Sequence, residues 1–91
     1  MSIRFDGQAA IVTGAGGGLG FAIARELARL GCAVLVNDYG GDVTGQGASP
    51  QRAEEAAVQL RALGARAVAD ATPVGTPDAA RRIVAHALEA F

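Results

Sequence analysis

A glycine-rich segment between Thr13 and Gly20 is the part of this sequence best suited to chemistry. It reads Thr13-Gly14-Ala15-Gly16-Gly17-Gly18-Leu19-Gly20 and joins a short apolar run to a helical pattern. Free N–H groups at a helix N-terminus, aided by the helix dipole, bind phosphate groups, and side chains at the contact points would block their approach. We therefore predict a pyrophosphate site at five of these residues, namely Gly14, Gly16, Gly18, Leu19 and Gly20.

The spacing of the glycines separates this turn from other phosphate-binding loops. The pattern G-x-G-x-x-G fails, because its last position is Leu19 when it starts at Gly14 and Phe21 when it starts at Gly16. A Walker A loop requires a lysine, and the sequence has none. The pattern that fits is T-G-x-x-x-G-x-G. Its place between a predicted strand and a predicted helix indicates a dinucleotide site.

Asp38 is the second candidate, 18 residues after Gly20 and at the end of the second predicted strand. A carboxylate in this place can accept hydrogen bonds from both adenosine ribose hydroxyls, and it repels a 2′-phosphate. Neither the turn nor the residues just after Asp38 contain an arginine that could bind such a phosphate. This favours NAD over NADP as cofactor. The alternative is that Asp38 only begins a polar loop.

Two further polar residues have weaker signals. Asp70 ends the third predicted strand, where it could contact the adenine amino group or be a solvated loop acid. His86 lies in the last predicted helix, without an acid, a cysteine or a second histidine at ligand spacing. We interpret it as an ordinary histidine of the helix surface, and we expect no metal site.

The elements that position these residues alternate in the order β-α-β-α-β-α. Such alternation predicts a parallel sheet with right-handed crossovers, the N-terminal half of a doubly wound Rossmann α/β fold. The strands are expected at Ala9–Val12, buried on both faces, Ala33–Asn37 and Ala65–Ala69. The helices are expected from about Leu19 to Leu30, from Pro50 (with Ser49 as N-cap) to about Leu63, and from Thr76-Pro77-Asp78 to Phe91.

The predicted helices have apolar faces, and glycines are found at their expected ends. Gly31 and Gly64 are expected to end the first two helices, and residues 40–49 form a glycine-rich loop. The apolar faces comprise Ile23, Leu27 and Leu30 in the first helix, Ala53, Ala56, Ala57, Leu60 and Leu63 in the second, and Ile83, Val84, Ala87, Leu88 and Phe91 in the third.

Composition limits the class of protein. Ninety-one residues suffice for one small domain, and alanine supplies much of the 51% apolar fraction. The net charge of −1 is scattered, so no basic face for nucleic acid is expected. No apolar run has the length of a signal peptide or a membrane span, so no membrane contact is expected. Cys32, the single cysteine, is predicted to be a buried filler in a cytoplasmic protein.

Residues Phe5 to Gly14 and the turn that follows resemble the opening of the short-chain dehydrogenase/reductase family, and the resemblance covers all 91 residues. The segment Val36–Asp42, with Gly45, Gly47 and Ser49, is similar to the hydroxyacyl-CoA dehydrogenase domains of multifunctional β-oxidation enzymes. The resemblance implies a nicotinamide dinucleotide held by Gly14, Gly18, Gly20 and Asp38. It also implies oxidation of a secondary alcohol, with 3-hydroxyacyl-CoA as a candidate substrate.

The resemblance implies as well that the catalytic half is absent from this chain. In the family, a fourth strand with an Asn-Ala-Gly signature, a catalytic serine and a Tyr-x-x-x-Lys helix would follow Phe91. Here the single tyrosine is Tyr39 and lysine is absent. The chain is therefore expected to be a truncated N-terminal portion, inactive alone, whose first strand pairs with the missing half or self-associates. The alternatives are a stand-alone NAD-binding module and a vestigial product.

Overall fold

The computed structural model describes residues 3–39 and 50–91, so the predicted loop 40–49 lies outside the described residues. The element order is the predicted one. The strands are β1 (Ala9–Thr13), β2 (Ala33–Asn37) and β3 (Ala67–Asp70), and the helices are α1 (Gly18–Arg29), α2 (Gln51–Ala62) and α3 (Pro77–Ala90).

The three strands form one parallel sheet in the order β1-β2-β3. At its carboxyl edge Thr13 is the register partner of Asn37, and Asn37 is that of Asp70. The residues that follow the three strands therefore meet at one edge, which is where doubly wound folds bind their ligands. The partial doubly wound α/β fold predicted from the sequence is confirmed.

The core lies around the central strand. Every residue of β2 is buried, and Val34 and Val36 pack in one cluster with alanines of α1 and α2 and with Leu60. Of the fifteen buried apolar residues among those described, nine are alanine. Small side chains let the helices approach the sheet closely. Cys32 is 4% exposed, as a buried filler requires, and burial raises the pKa of its thiol.

Strand β1 was expected to be buried on both faces, and this expectation is wrong for the described chain. Ala9, Ile11 and Thr13 share one face of β1 and are exposed, so this face is not covered. Strand β1 is also an edge strand, which pairs with β2 on one side. Part of each predicted apolar helix face is also exposed, because a sheet of three strands is too narrow to cover it. The exposed members are Ile23, Leu63, Val84 and Leu88.

The helix ends follow the sequence signals closely. Gly31 and Gly64 lie just beyond α1 and α2 with φ of 97° and 91°, as expected of residues that end helices. Thr76 caps α3, since its Oγ1 accepts a hydrogen bond from the Ala79 N–H at 3.1 Å. Helix α2 has Pro50 as its N-cap, one residue later than predicted. Within residues 3–39 and 50–91, no helix has the length and hydropathy needed to cross a membrane.

Candidate functional site

The glycine turn after β1 is bound to the end of β2. The Gly16 N–H donates a hydrogen bond to Asp38 Oδ2 at 2.8 Å, and the Ala15 N–H donates to the Asn37 carbonyl at 3.0 Å. Asp38 is 9% exposed, and its own N–H donates to the Asp70 carbonyl at 3.0 Å. The structure thus brings the predicted turn, Asp38 and Asp70 together at one edge of the sheet.

Glycine at two positions of the turn is dictated by close approach. A Cβ on Gly16 would lie 2.6 Å from Asp38 Oδ2. A Cβ on Gly20 would lie 2.9 Å from the Gly14 carbonyl carbon, closer still to its oxygen, and 3.2 Å from the Ala15 Cα. A side chain on Gly16 would therefore fill the space between the turn and Asp38. A side chain on Gly20 would push α1 away from the turn.

The N-terminus of α1 fits an anionic group. Its N-cap, Gly17, has no side chain to occupy the free N–H groups, and no acidic residue lies in the first turn. Gly18 begins the helix, and the Leu19 side chain is exposed. The backbone donors and the positive end of the helix dipole are therefore not countered by a carboxylate of the first turn. These residues fit the pyrophosphate of a dinucleotide.

Asp70 lies in a hydrogen-bond network, so the interpretation as a solvated loop acid is wrong. Its side chain is 8% exposed. Oδ1 accepts from Asn37 Nδ2 at 3.0 Å and from the Thr72 N–H at 2.8 Å, and Oδ2 is 2.8 Å from His86 Nδ1. Asn37 Nδ2 also donates to the Thr72 carbonyl at 2.9 Å, which ties β2 to the segment after β3.

Burial alone would raise the pKa of Asp70. Hydrogen bonds from His86, Thr72 and Asn37 favour the carboxylate and together outweigh burial, so the pKa is lowered from its ordinary value of 3.8. The charged form is therefore the one that the folded chain stabilises.

The lowered pKa of Asp70 predicts a loss of stability in acid. A group whose pKa is lower in the folded than in the unfolded chain stabilises the fold above its unfolded value, and this stabilisation is lost as the pH falls through the folded value. We expect the difference in free energy of unfolding between the wild type and Asp70→Asn to be constant at neutral pH and to shrink below about pH 4. Urea unfolding between pH 7 and pH 3 would measure it, and a difference that grows in acid would contradict the assignment.

The interpretation of His86 as an ordinary histidine of the helix surface missed its partner, Asp70. Its side chain is 38% exposed, and its ring pairs with Asp70. A sequence signal existed, because Ala79, Ile83 and His86 are spaced four and three residues apart and so share a helix face. Ala79 and Ile83 are the buried residues of α3. The face turned toward the sheet therefore includes His86.

Arg52 is a second residue that the sequence argument missed. It is the second residue of α2, and its Nη2 lies 3.1 Å from the position that a Cβ on Gly17 would occupy. Its Cβ lies 3.1 Å from the corresponding position on Gly16. A guanidinium therefore lies beside the turn, although neither the turn nor the residues just after Asp38 contain an arginine.

Comparison with known proteins identifies relatives. A family model described as short chain dehydrogenase matches residues 8–91. The chain is 43% identical over 89 residues to peroxisomal multifunctional enzyme type 2 of Mus musculus, a match that covers 98% of this chain and 12% of that enzyme. The chain therefore spans only a small part of this relative.

Two solved structures have the same fold. A short-chain dehydrogenase/reductase of Burkholderia phymatum in complex with NAD superposes with a TM-score of 0.81 at 31% identity, over 98% of this chain and 28% of that one. L-sorbose reductase of Gluconobacter frateurii, complexed with NADPH and L-sorbose, gives 0.81 at 28% identity, over 100% of this chain and 32% of that one. Similar folds therefore hold either nicotinamide cofactor.

Proposed function

Because this chain belongs to the short-chain dehydrogenase family, we propose that it is the NAD-binding N-terminal portion of an oxidoreductase acting on secondary alcohols. The observation that carries the proposal is the hydrogen bond from the Gly16 N–H to Asp38 Oδ2. It holds the Asp38 carboxylate beside the glycine turn, which supports binding of the ribose and the pyrophosphate of one dinucleotide by these residues. The turn and Asp38 would bind and orient NAD, which would supply the hydride acceptor for oxidation of the alcohol.

The turn and Asp38 divide the binding between them. Backbone N–H groups at Gly18 and Leu19, with the dipole of α1, would hold the pyrophosphate. Asp38 accepts hydrogen bonds from the adenosine ribose hydroxyls. The bond from the Gly16 N–H orients the Asp38 carboxylate toward the turn.

We propose that NAD is preferred over NADP. The Asp38 carboxylate would repel a 2′-phosphate and would lose the ribose hydroxyl that it binds. Arg52 acts in the opposite direction, because its guanidinium lies beside the turn and attracts phosphate. The preference is therefore set by Asp38 and moderated by Arg52.

Asp38→Ala is expected to weaken NAD binding by about 100-fold, since two hydrogen bonds to a charged group are lost. NADP binding should weaken less or improve, so the ratio of the two dissociation constants should fall. Isothermal titration with both cofactors measures this. The matched control is Asp78→Ala, an exposed acid at the start of α3 that should change neither constant. Unchanged NAD affinity in Asp38→Ala would refute the proposal.

The groups that would move protons are proposed to come from a second half of the domain. The family's tyrosine acts as general acid/base and its lysine lowers the tyrosine pKa. This chain has a single tyrosine, Tyr39, and no lysine, so we propose that it is inactive alone. The resemblance of the segment Val36–Asp42 to hydroxyacyl-CoA dehydrogenase domains favours a 3-hydroxyacyl-CoA among secondary alcohols. We further propose a cytoplasmic protein that binds neither nucleic acid nor membrane.

The outer edge of β1 is the proposed pairing site for that second half. The Ala33 N–H donates to the Gln8 carbonyl, and Ala33 is the register partner of Ala9. In a parallel ladder, alternate residues direct their backbone groups to the same side. Ala9 and Ile11 therefore direct theirs away from β2, where a further strand can bind them. Self-association through the same edge is the competing outcome.

A further inference from the structure

We propose that His86 is a positioning residue that orients Asp70 to recognise the exocyclic amino group of adenine. The inference rests on the proposed function, and it adds a residue of α3 to the dinucleotide site. It is carried by the 2.8 Å contact between His86 Nδ1 and Asp70 Oδ2.

The two oxygens of Asp70 have different partners. Oδ1 accepts from Asn37 Nδ2 and from the Thr72 N–H, whereas Oδ2 accepts from His86. Each carboxylate oxygen has about two acceptor positions. Oδ1 is thus saturated, and Oδ2 can accept one further N–H.

His86 holds the second oxygen of the carboxylate. The two donors on Oδ1 restrain that oxygen, and the bond from His86 restrains Oδ2. The direction of the carboxylate is thus fixed at both oxygens, and without His86 the Oδ2 atom would be restrained only through Oδ1. With its Nδ1 donating to Asp70, the imidazole acts as a hydrogen-bond donor, as in histidines oriented by carboxylates.

The pair of His86 and Asp70 lies where the adenine base of the dinucleotide is expected. The Asp38 N–H donates to the Asp70 carbonyl, so the ribose-binding acid and Asp70 are adjacent at the carboxyl edge of the sheet. The adenine is attached to the ribose that Asp38 is proposed to hold. An acceptor at Asp70 Oδ2 suits the amino group of adenine and repels a carbonyl oxygen in the same place.

The test compares NAD with nicotinamide hypoxanthine dinucleotide, in which a carbonyl replaces the adenine amino group. The wild-type chain should bind NAD about tenfold more tightly than the hypoxanthine analogue, because one hydrogen bond to a charged group is lost. His86→Ala should reduce this ratio several-fold. His86→Asn, whose amide nitrogen takes the place of Nδ1, should restore it. A change in stability alone would lower both affinities and leave the ratio unchanged.

A measurement without any substitution complements the variants. His86 is the single histidine of the sequence, so its ring signals are identified without assignment. NAD should shift the His86 ring ¹⁵N resonances, and the hypoxanthine analogue should shift them less. This measurement uses only the wild-type chain, so it can be made even if the His86 variants fail to fold.

The outcomes separate the two proposals. A folded wild-type chain that binds neither dinucleotide refutes the proposed function. NAD binding without discrimination against the analogue, an unchanged ratio in His86→Ala, or equal ring shifts with both ligands overturns the role of His86. Tighter NAD binding by His86→Ala also overturns it, because His86 would then compete with adenine for Asp70.

Discussion

Replacing Gly20 with alanine is expected to abolish NAD binding and to unfold much of the chain. The added Cβ would lie 2.9 Å from the Gly14 carbonyl carbon and 3.2 Å from the Ala15 Cα. Both are backbone atoms, so no rotamer change relieves the overlap. Overpacking of this kind costs about 3 kcal/mol, a large part of the stability of a small domain. Relief by moving α1 would displace the N–H groups proposed to hold the pyrophosphate.

Gly75→Ala is the matched control for this substitution. A Cβ on Gly75 meets nothing within 4 Å, so the same chemical change should leave folding and binding intact. Circular dichroism during thermal unfolding and calorimetric titration with NAD measure the two effects. Wild-type stability and affinity in Gly20→Ala would show that the contact between α1 and the turn is looser than the structure indicates.

Supplying the second half of the domain is expected to create activity that this chain alone is proposed to lack. The partner is the segment that follows the matched residues in the mouse peroxisomal multifunctional enzyme type 2, the 43% identical relative. We expect no NADH formation from a 3-hydroxyacyl-CoA with either piece alone and measurable turnover when the two are co-expressed. The physical reason is that the outer edge of β1 can bind a further strand.

The control for complementation is a pair of substitutions at Ile11, which is 37% exposed on β1. Proline removes an N–H directed away from β2, and proline is tolerated on edge strands. Ile11→Pro should therefore abolish activity in the mixture, whereas Ile11→Val should retain it. Turnover by this chain alone, or by the mixture containing Ile11→Pro, would contradict the proposed arrangement. Chains that pair with themselves at β1 would instead elute as dimers and show no turnover.

Much of the fold was predictable because its signals are local. The apolar run of β2, the glycines after α1 and α2, and the Thr76-Pro77 pair at the start of α3 each specify structure through nearby residues. The turn and Asp38 could be recognised because spacing along the chain determines which strand ends they follow. Their contact, from the Gly16 N–H to Asp38, is consistent with that reasoning.

The remainder depends on contacts between distant segments. His86 and Asp70 are 16 residues apart, and their pairing depends on how α3 packs against the sheet. Arg52 lies beside the turn although it belongs to α2, and the distance between them along the chain hides this proximity. The exposure of Ile11 could not be read from its apolar neighbours, because a buried strand and an edge strand have the same local pattern.

The alanine-rich core has a thermodynamic consequence. Nine of the fifteen buried apolar residues described are alanines, so unfolding exposes less apolar area per residue than a core of leucine and isoleucine would. The heat capacity increment of unfolding scales with that area, and a smaller increment flattens the curve of stability against temperature. A molecule with a flat curve gains little from cooling. A bound ligand, which adds free energy in proportion to the logarithm of its concentration, is then the stronger means of keeping it folded.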